Sequence, residues 1–329
     1  MTDIHEFLDF DIDEGAENLY NIILVDGQNL LHRAAHSFQG LGVETPDGEM
    51  VLTGATFGFF QLVSSIWEKW ADTDTKLIIC WEGGYKHRLN IYPEYKANRR
   101  NRDPADLEPF QRDLPNQGAA LRRILAVAGW CQAMAPGYEA DDVLATLAKT
   151  HGKEGKKVAI YTMDQDLHQC VTENVHVVSP KFGSSEEDIW TLERVTEKWG
   201  LPPDRIPEAK ALAGDSGDNI PGCPGCGKGW AKKLLASAQL VEVLDRAAVE
   251  LLTGEYEGKA WRTPSLTTKI KENRELILIS LVLATTVEDC QVEITHPEAQ
   301  PDRLRVAFER LEFHSLLNPV PFKILTEIA

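Results

Sequence analysis

The chain has 329 residues, 43% of them hydrophobic and 26% charged, with a formal net charge of −17 at pH 7. That length supports one large α/β domain plus a smaller module without disulfide or metal staples. No apolar run nears the ~18 residues of a membrane span and no basic-then-apolar leader opens the chain, so a cytoplasmic setting with no membrane partner is expected.

The acidic excess argues against a phosphate-bearing partner until its distribution is considered. Residues 1–18 hold seven acids (Asp3, Glu6, Asp9, Asp11, Asp13, Glu14, Glu17) and no Lys or Arg, the composition of a solvated, disordered arm. Residues 85–112 hold seven Lys or Arg against four acids. The chain is acidic overall and basic locally.

In chain order, residues 21–26 (NIILVD) form a short apolar strand ending in a carboxylate, and a helical pattern covers 52–70. Residues 76–82 (KLIICWE) repeat the first design. Residues 85–116, rich in Arg, Asn and Pro with weak periodicity, make a loop or short-helix excursion. Helices follow at 118–128 and 140–150, then strands at 157–164 and 175–179. Such alternation gives an α/β fold with a mostly parallel sheet flanked by helices, whose ligands lie beyond the strand carboxyl ends. Asp26, Glu82 and Asp164 all occupy such ends. Residues 205–285 are helical around a Gly/Pro-rich turn, and QVEI followed by a helix over 302–311 returns toward the first domain. The expected division is an arm at 1–18, a main domain at 19–204, a helical module at 205–285 and a returning segment at 286–329.

Six cysteines (Cys80, Cys131, Cys170, Cys223, Cys226, Cys290) stand in hydrophobic surroundings and are expected as reduced thiols. Cys223 and Cys226 form the one CxxC, with no second pair or His pair at zinc-ligand spacing.

Residues 137–142 (GYEADD) open a helix, which puts Glu139, Asp141 and Asp142 where free N–H groups and the helix dipole favour negative charge. An ordinary acidic N-cap would look the same. Residues 163–166 (MDQD) and 214–219 (GDSGDN) could each be a plain polar turn. Together these segments supply nine acids: Asp26, Glu82, Glu139, Asp141, Asp142, Asp164, Asp166, Asp215 and Asp218. If they converge they cannot all ionise without counter-charge, and hard divalent cations such as Mg²⁺ provide it. No Ser/His/Asp or Cys/His arrangement stands out and no Walker spacing is present, which leaves metal-assisted hydrolysis.

The segments VDGQNLLHR (25–33), RLNIYPEYKANR (88–99), GYEADDVLATLA (137–148), DQDLHQCV (164–171) and LAGDSGDNIPGCPGCGKGWAKKLL (212–235) closely resemble the 5′-nuclease family. That family comprises phage 5′-exonucleases, the N-terminal nuclease domain of bacterial DNA polymerase I, and flap endonucleases. The resemblance implies a PIN-like nuclease domain, a helix-three-turn-helix module, a basic arch or clamp at 85–116, and two divalent ions, Mg²⁺ or Mn²⁺. By position, Asp26, Glu82, Glu139 and Asp141 would hold the first ion, and Asp164, Asp166, Asp215 and Asp218 the second, with Asp142 nearby. The family usually has Asp where Glu82 stands, a common Gly at Met163, and small aliphatic residues at Cys223 and Cys226.

The resemblance also assigns the basic excursion. Lys96 and Arg99 would stabilise the phosphate in the transition state with Arg88 in support, Arg100 would add to the DNA contact, and Tyr95 would either stack on a terminal base or pack the clamp. The turn at Gly222, Gly225 and Gly227, with Lys228, Lys232 and Lys233, would bind DNA phosphates without reading sequence, and a K⁺ would sit there. The implied function is that of a monomeric 5′-3′ exonuclease and flap endonuclease of DNA replication and repair. It would act on 5′ ends, flaps or nicks, with RNA primers in RNA–DNA hybrids a further substrate. The alternatives are a PIN-type ribonuclease and a non-catalytic DNA-junction binder.

Overall fold

Residues 22–25 are apolar on both sides of the strand, and a strand buried on both faces belongs at the centre of a parallel sheet. The computed structural model, which describes residues 20–181 and 186–328, places it there. The acidic arm at 1–18 lies outside the described residues.

The strands are β1 (Ile22–Asp26), β2 (Gly42–Glu44), β3 (Met50–Leu52), β4 (Lys76–Trp81), β5 (Cys131–Met134), β6 (Val158–Tyr161), β7 (Val175–Pro180), β8 (Glu187–Trp190), β9 (Thr253–Tyr256), β10 (Lys259–Arg262) and β11 (Glu293–Thr295). Seven of them form one sheet in the order β11-β5-β4-β1-β6-β7-β8, while β2–β3 and β9–β10 are separate hairpins. The five inner strands are parallel, and β11 and β8 close the edges antiparallel to β5 and β7. The chain steps from β1 outward to β4 and β5, then crosses back to β6. The strand order therefore reverses beside β1, and the crevice at its carboxyl end is where such sheets bind ligands.

Two apolar layers cover the sheet. Ile23, Val25, Leu77, Ile79 and Trp81 pack under the helices Gly27–Ser37, Gly54–Trp70 and Leu114–Ala128, joined by Leu304, Phe308, Phe313 and Leu325 from the C-terminal segment. Ile22, Leu24, Ile78, Cys80, Val158 and Ile160 pack on the opposite face against Val143, Leu144 and Leu147 of the helix Ala140–Lys153. A third cluster, from Leu201 to Ile277, is the core of the helical module and includes both Cys223 and Cys226. All six cysteines are free thiols, and these two serve as small apolar side chains.

The apolar β-branched runs emerge close to their expected bounds. β5 and β8 were absent from the expected strands, because CQAM and EDIW are four residues long with mixed polarity and gain their ladders from neighbours, β5 from β4 and β11 and β8 from β7. The excursion after β4 resolves into short helices, Lys86–Ile91, Ala97–Arg100 and Pro109–Arg112.

Candidate metal centre and nucleic-acid surface

β1 ends at Asp26, whose buried carboxylate caps the next helix by accepting from Asn29 N at 2.9 Å and also accepts from Thr162 Oγ1 at 2.9 Å. Thr162 follows β6, and its hydroxyl in turn accepts from Asp164 N at 3.1 Å. One threonine therefore ties the two strand ends that flank the switch point. Asp164 caps the short helical turn Gln165–Cys170 through Asp166 N at 2.9 Å. Glu139 is the N-cap residue of the helix Ala140–Lys153, with Asp141 and Asp142 in its first turn.

These groups strain one another electrostatically. Burial, with a further push from Asp164, raises Asp26 to about 6 against opposing hydrogen bonds. Burial and the charges of Asp164, Asp26 and Glu139 hold Asp141 well above the ordinary carboxylate range. Glu82, just past β4, is raised chiefly by burial, with Lys96 opposing and Glu139 adding to it. Neither Asp141 nor Glu82 receives a hydrogen bond among the described residues.

Two lysines act as counter-charges. Lys96, buried, reaches Glu139 Oε1 and lies 3.6 Å from Asp218 Oδ2. Lys210 joins Asp166 Oδ1 and sits 2.8 Å from Asp215 Oδ2. Burial raises Asp166 to about 6 although Lys210 opposes it, whereas at Asp215 the hydrogen bond and charge of Lys210 outweigh burial and lower it. Among the described residues no three acidic, His or Cys side chains are already drawn into a ligand shell. The donor set nevertheless suits a hard cation: all its atoms are carboxylate oxygens, two of the carboxylates lack donors, and ammonium groups occupy the gaps.

The arrangement departs from the expected grouping at three acids. Asp142 is fully buried and its four acceptor positions are used, by Arg88 at 2.6 and 2.7 Å, Glu139 N at 3.1 Å and Val287 N at 2.8 Å. It is an anchor rather than a free ligand, and a metal would have to displace the Arg88 pair. Asp218 does not join Asp215 and Asp166. It lies on the Glu139 side, bonded to Arg99 at 2.6 Å and to the Tyr95 hydroxyl at 3.2 Å. Asp164 stands between the groups, its charge felt by both Asp26 and Asp166.

The basic excursion also differs in detail. Arg88 faces inward: besides Asp142 it contacts Glu139 at 3.0 Å and donates to the carbonyls of Leu283 and Thr285 at 3.2 and 3.1 Å. Its bond geometry supports Asp142 and the helix N-terminus, not a phosphate. Tyr95 is 2% exposed, with its hydroxyl 2.7 Å from Glu139, so it presents no ring face to a base and packs the stem instead. Arg100 is exposed, with its guanidinium on the carbonyls of Tyr95 and Pro93. The stem is fastened to the 215–219 loop by Lys96 N to Asp218 O (2.9 Å), Asn98 Nδ2 to Ser216 O (2.8 Å) and Asn219 Nδ2 to Glu94 O (2.6 Å).

In the module, Gly222 is buried at φ 62°, its N–H donates to Ser280 Oγ at 3.0 Å, and an added Cβ would stand 2.3 Å from Gly214 N. It permits close chain packing and has no N–H to offer a phosphate, contrary to the expected DNA contact. Gly225, Gly227 and Lys228 are exposed at the N-terminus of the helix Lys228–Leu235. Lys228 and Lys232 line a cleft of about 680 Å³ with Lys198, Lys210 and Asp215, and Lys233 lies 5.0 Å over the Trp230 ring. Thr162, Lys198 and Lys210 were not anticipated from sequence. Lys210, one turn before GDSGDN, carried the one available signal.

Residues 21–200 match the family model described as the N-terminal resolvase-like domain of 5′-3′ exonucleases, and residues 201–306 match its C-terminal SAM fold. The chain is 35% identical over 301 residues to the thermostable DNA polymerase I of Thermus aquaticus, covering 90% of this chain and 32% of that protein. It thus spans about a third of the length of such curated relatives. Among solved structures, the bacteriophage T5 5′-exonuclease with bound divalent metal ions (zinc) superposes with a TM-score of 0.61 at 19% identity, over 93% of this chain and 97% of that one. Flap endonuclease-1 from Methanococcus jannaschii gives 0.58 at 16%, over 93% and 92%. With both family models matched in order across the sheet and the helical module, this chain belongs to the 5′-3′ exonuclease family.

Proposed function

We propose that the chain is a metal-dependent 5′-3′ exonuclease and flap endonuclease that hydrolyses DNA phosphodiester bonds with two divalent ions, Mg²⁺ or Mn²⁺. The observation carrying this reading is the charge imbalance at the switch point: Asp141 and Glu82 lack donors, and Asp26 and Asp141 repel each other and Asp164. Asp26, Glu82, Glu139 and Asp141 would hold one ion, and Asp164, Asp166 and Asp215 the other, with Asp218 adjoining the first group. When bound, the ions supply charge neutralisation at the phosphate and a lowered pKa for the attacking water.

The chain's own groups do the rest. Thr162 orients Asp26, and the Arg88–Asp142 pair fixes the helix N-terminus that presents Glu139 and Asp141. Lys96 and Lys210, neutralising carboxylates in this arrangement, are placed to transfer their contacts to substrate phosphate once cations take over the carboxylates. Arg99, with 60% of its side chain exposed, is a further phosphate donor at the stem. Gly225, Gly227, Lys228, Lys232 and Lys233 would hold duplex phosphates. Action as a monomer in the cytoplasm, use of RNA–DNA hybrids and a K⁺ at the glycine turn enter this proposal from the family resemblance alone. No helix among the described residues is long and apolar enough to cross a membrane.

Product sizing tests the reading. With 5′-labelled flap, nicked, blunt and single-stranded DNA in Mg²⁺, short labelled products are expected from the flap and the 5′ ends, and none in EDTA. Cleavage of matched RNA but not DNA would overturn it in favour of a ribonuclease.

A further inference from the structure

The row of carboxylates has two open flanks. On the β6 side lies the lysine-lined cleft of the helical module. On the β4 side, beyond Glu82, a second cleft of about 670 Å³ opens between the helices Gly27–Ser37 and Leu114–Ala128, lined by Gln28, His32, Trp81, Glu82, Gln111 and Arg122 among others. Its one Lys or Arg is Arg122 and its one acid is Glu82.

Arg122 is held against an aromatic ring at the edge of this cleft. Its guanidinium lies 4.5 Å over the Trp81 ring. That ring is itself fixed: Phe59 stacks on it at 5.9 Å, its Nε1 donates to Gln132 Oε1 at 2.9 Å, and Gln132 Nε2 returns to the Arg122 carbonyl at 3.1 Å. Gly27, beside Asp26, leaves room for the ring, since a Cβ there would stand 2.8 Å from it. The guanidinium is half-buried, yet it has no hydrogen-bond or ion-pair partner among the described residues. An arginine held against an indole, with its N–H groups unpaired, loses less freedom when it binds and can offer its fork to a phosphate.

We propose that Arg122 is a phosphate contact for single-stranded DNA leaving the site on the Glu82 side, across the carboxylates from the module that holds the duplex. The inference rests on the nuclease reading above and adds a residue and a strand to it. Trp81 is the positioning residue: it holds Arg122 beside Glu82, so the strand passes the longer carboxylate with its charge matched.

The test is fluorescence anisotropy in EDTA, at KCl concentrations between about 50 and 200 mM, with a labelled 5′-flap DNA and the same nicked duplex lacking the flap. Arg122→Gln is expected to weaken flap binding about tenfold, leave the nicked duplex within twofold, and reduce the log–log salt slope for the flap by about 0.7, the value for one single-strand phosphate. Arg122→Lys, which keeps the charge but not the fork, should recover part of the loss. Unchanged nicked-duplex binding shows that the variant is folded. Equal weakening of both DNAs, or a flap affinity matching wild type, overturns the inference alone. A wild-type chain that binds neither DNA, both in EDTA and with Ca²⁺ in its place, overturns the nuclease reading and this inference with it.

Discussion

Asp26→Asn should make the metal-free protein more stable while removing its turnover. The side chain caps the helix after β1 through Asn29 N, and Asn caps as well as Asp, so that bond survives. What disappears is a buried charge, along with the Thr162 Oγ1 donation to the second carboxylate oxygen, which an amide N–H donating to that hydroxyl replaces. Burial raises the folded-state pKa to about 6 from an ordinary 3.8, a difference of roughly two units or about 3 kcal/mol. For an acid raised in the folded state, the folded form binds the proton more tightly. The penalty is therefore full above about pH 6 and gone below about pH 4. In EDTA at pH 7.5, thermal unfolding of Asp26→Asn should lie above wild type by up to ~6 °C, at roughly 2 °C per kcal/mol, and the gap should close at pH 4. In saturating Mg²⁺ the order should invert, because only wild type gains from the ion. A variant less stable than wild type in EDTA at pH 7.5, or a gap independent of pH, would refute the reasoning.

Further expectations follow from single contacts. Asp142→Ala leaves buried Arg88 with Glu139 as its one remaining counter-charge and strips the N–H groups of Glu139 and Val287 of their acceptor, and should cost about 3–5 kcal/mol by urea unfolding; an Arg88→Met/Asp142→Leu double variant should recover the charge part of that loss but not the two N–H bonds. Gly222→Ala must adopt φ 62° against Gly214 and should cost about 2–4 kcal/mol, read by hydrogen exchange as loosening of the 206–284 helices. His168 is held down to about 4 by burial, with Lys198 and Arg194 adding to it, and accepts from Trp199 Nε1 at 3.0 Å. A depressed base gives stability that is full above pH 6.5 and lost as pH falls through 4. Titration of stability over that window should show up to about 3 kcal/mol less acid loss in His168→Gln.

How much of this was legible in the chain depends on whether the signal is local. The apolar runs of β1 and β4 and the acids that end them are contiguous in sequence, so the sheet, its ligand-binding edge and the placement of Asp26, Glu82 and Asp164 at strand ends could be read directly, whereas Asp141 joined them only through the family resemblance. β5 could not, because its four residues are stabilised by a neighbour rather than by their own pattern. The state of each acid was likewise hidden. Asp142 and Asp141 are adjacent, yet one has every acceptor filled by Arg88, Glu139 N and Val287 N while the other has none, a distinction set by residues 54 positions before and 145 after. Arg88 read as supporting a phosphate, and Tyr95 as either stacking on a base or packing the clamp, because they sit in a basic excursion. Packing of that stem on the 215–219 loop turns both inward. Gly222 signalled close approach correctly, but the approaching backbone is the chain's own.

The central claim is that buried carboxylates at the switch point work by holding divalent ions for phosphodiester hydrolysis. Its most direct test is a Mg²⁺ titration of single-turnover cleavage of a 5′-labelled flap by wild type and by Asp141→Asn. Wild type should rise from no cleavage to saturation, and Asp141→Asn should remain at least ~100-fold slower at every concentration, consistent with loss of an ion-stabilised transition state worth about 2.7 kcal/mol or more. Cleavage that persists in EDTA, or an Asp141→Asn curve that overlays wild type, would contradict the account.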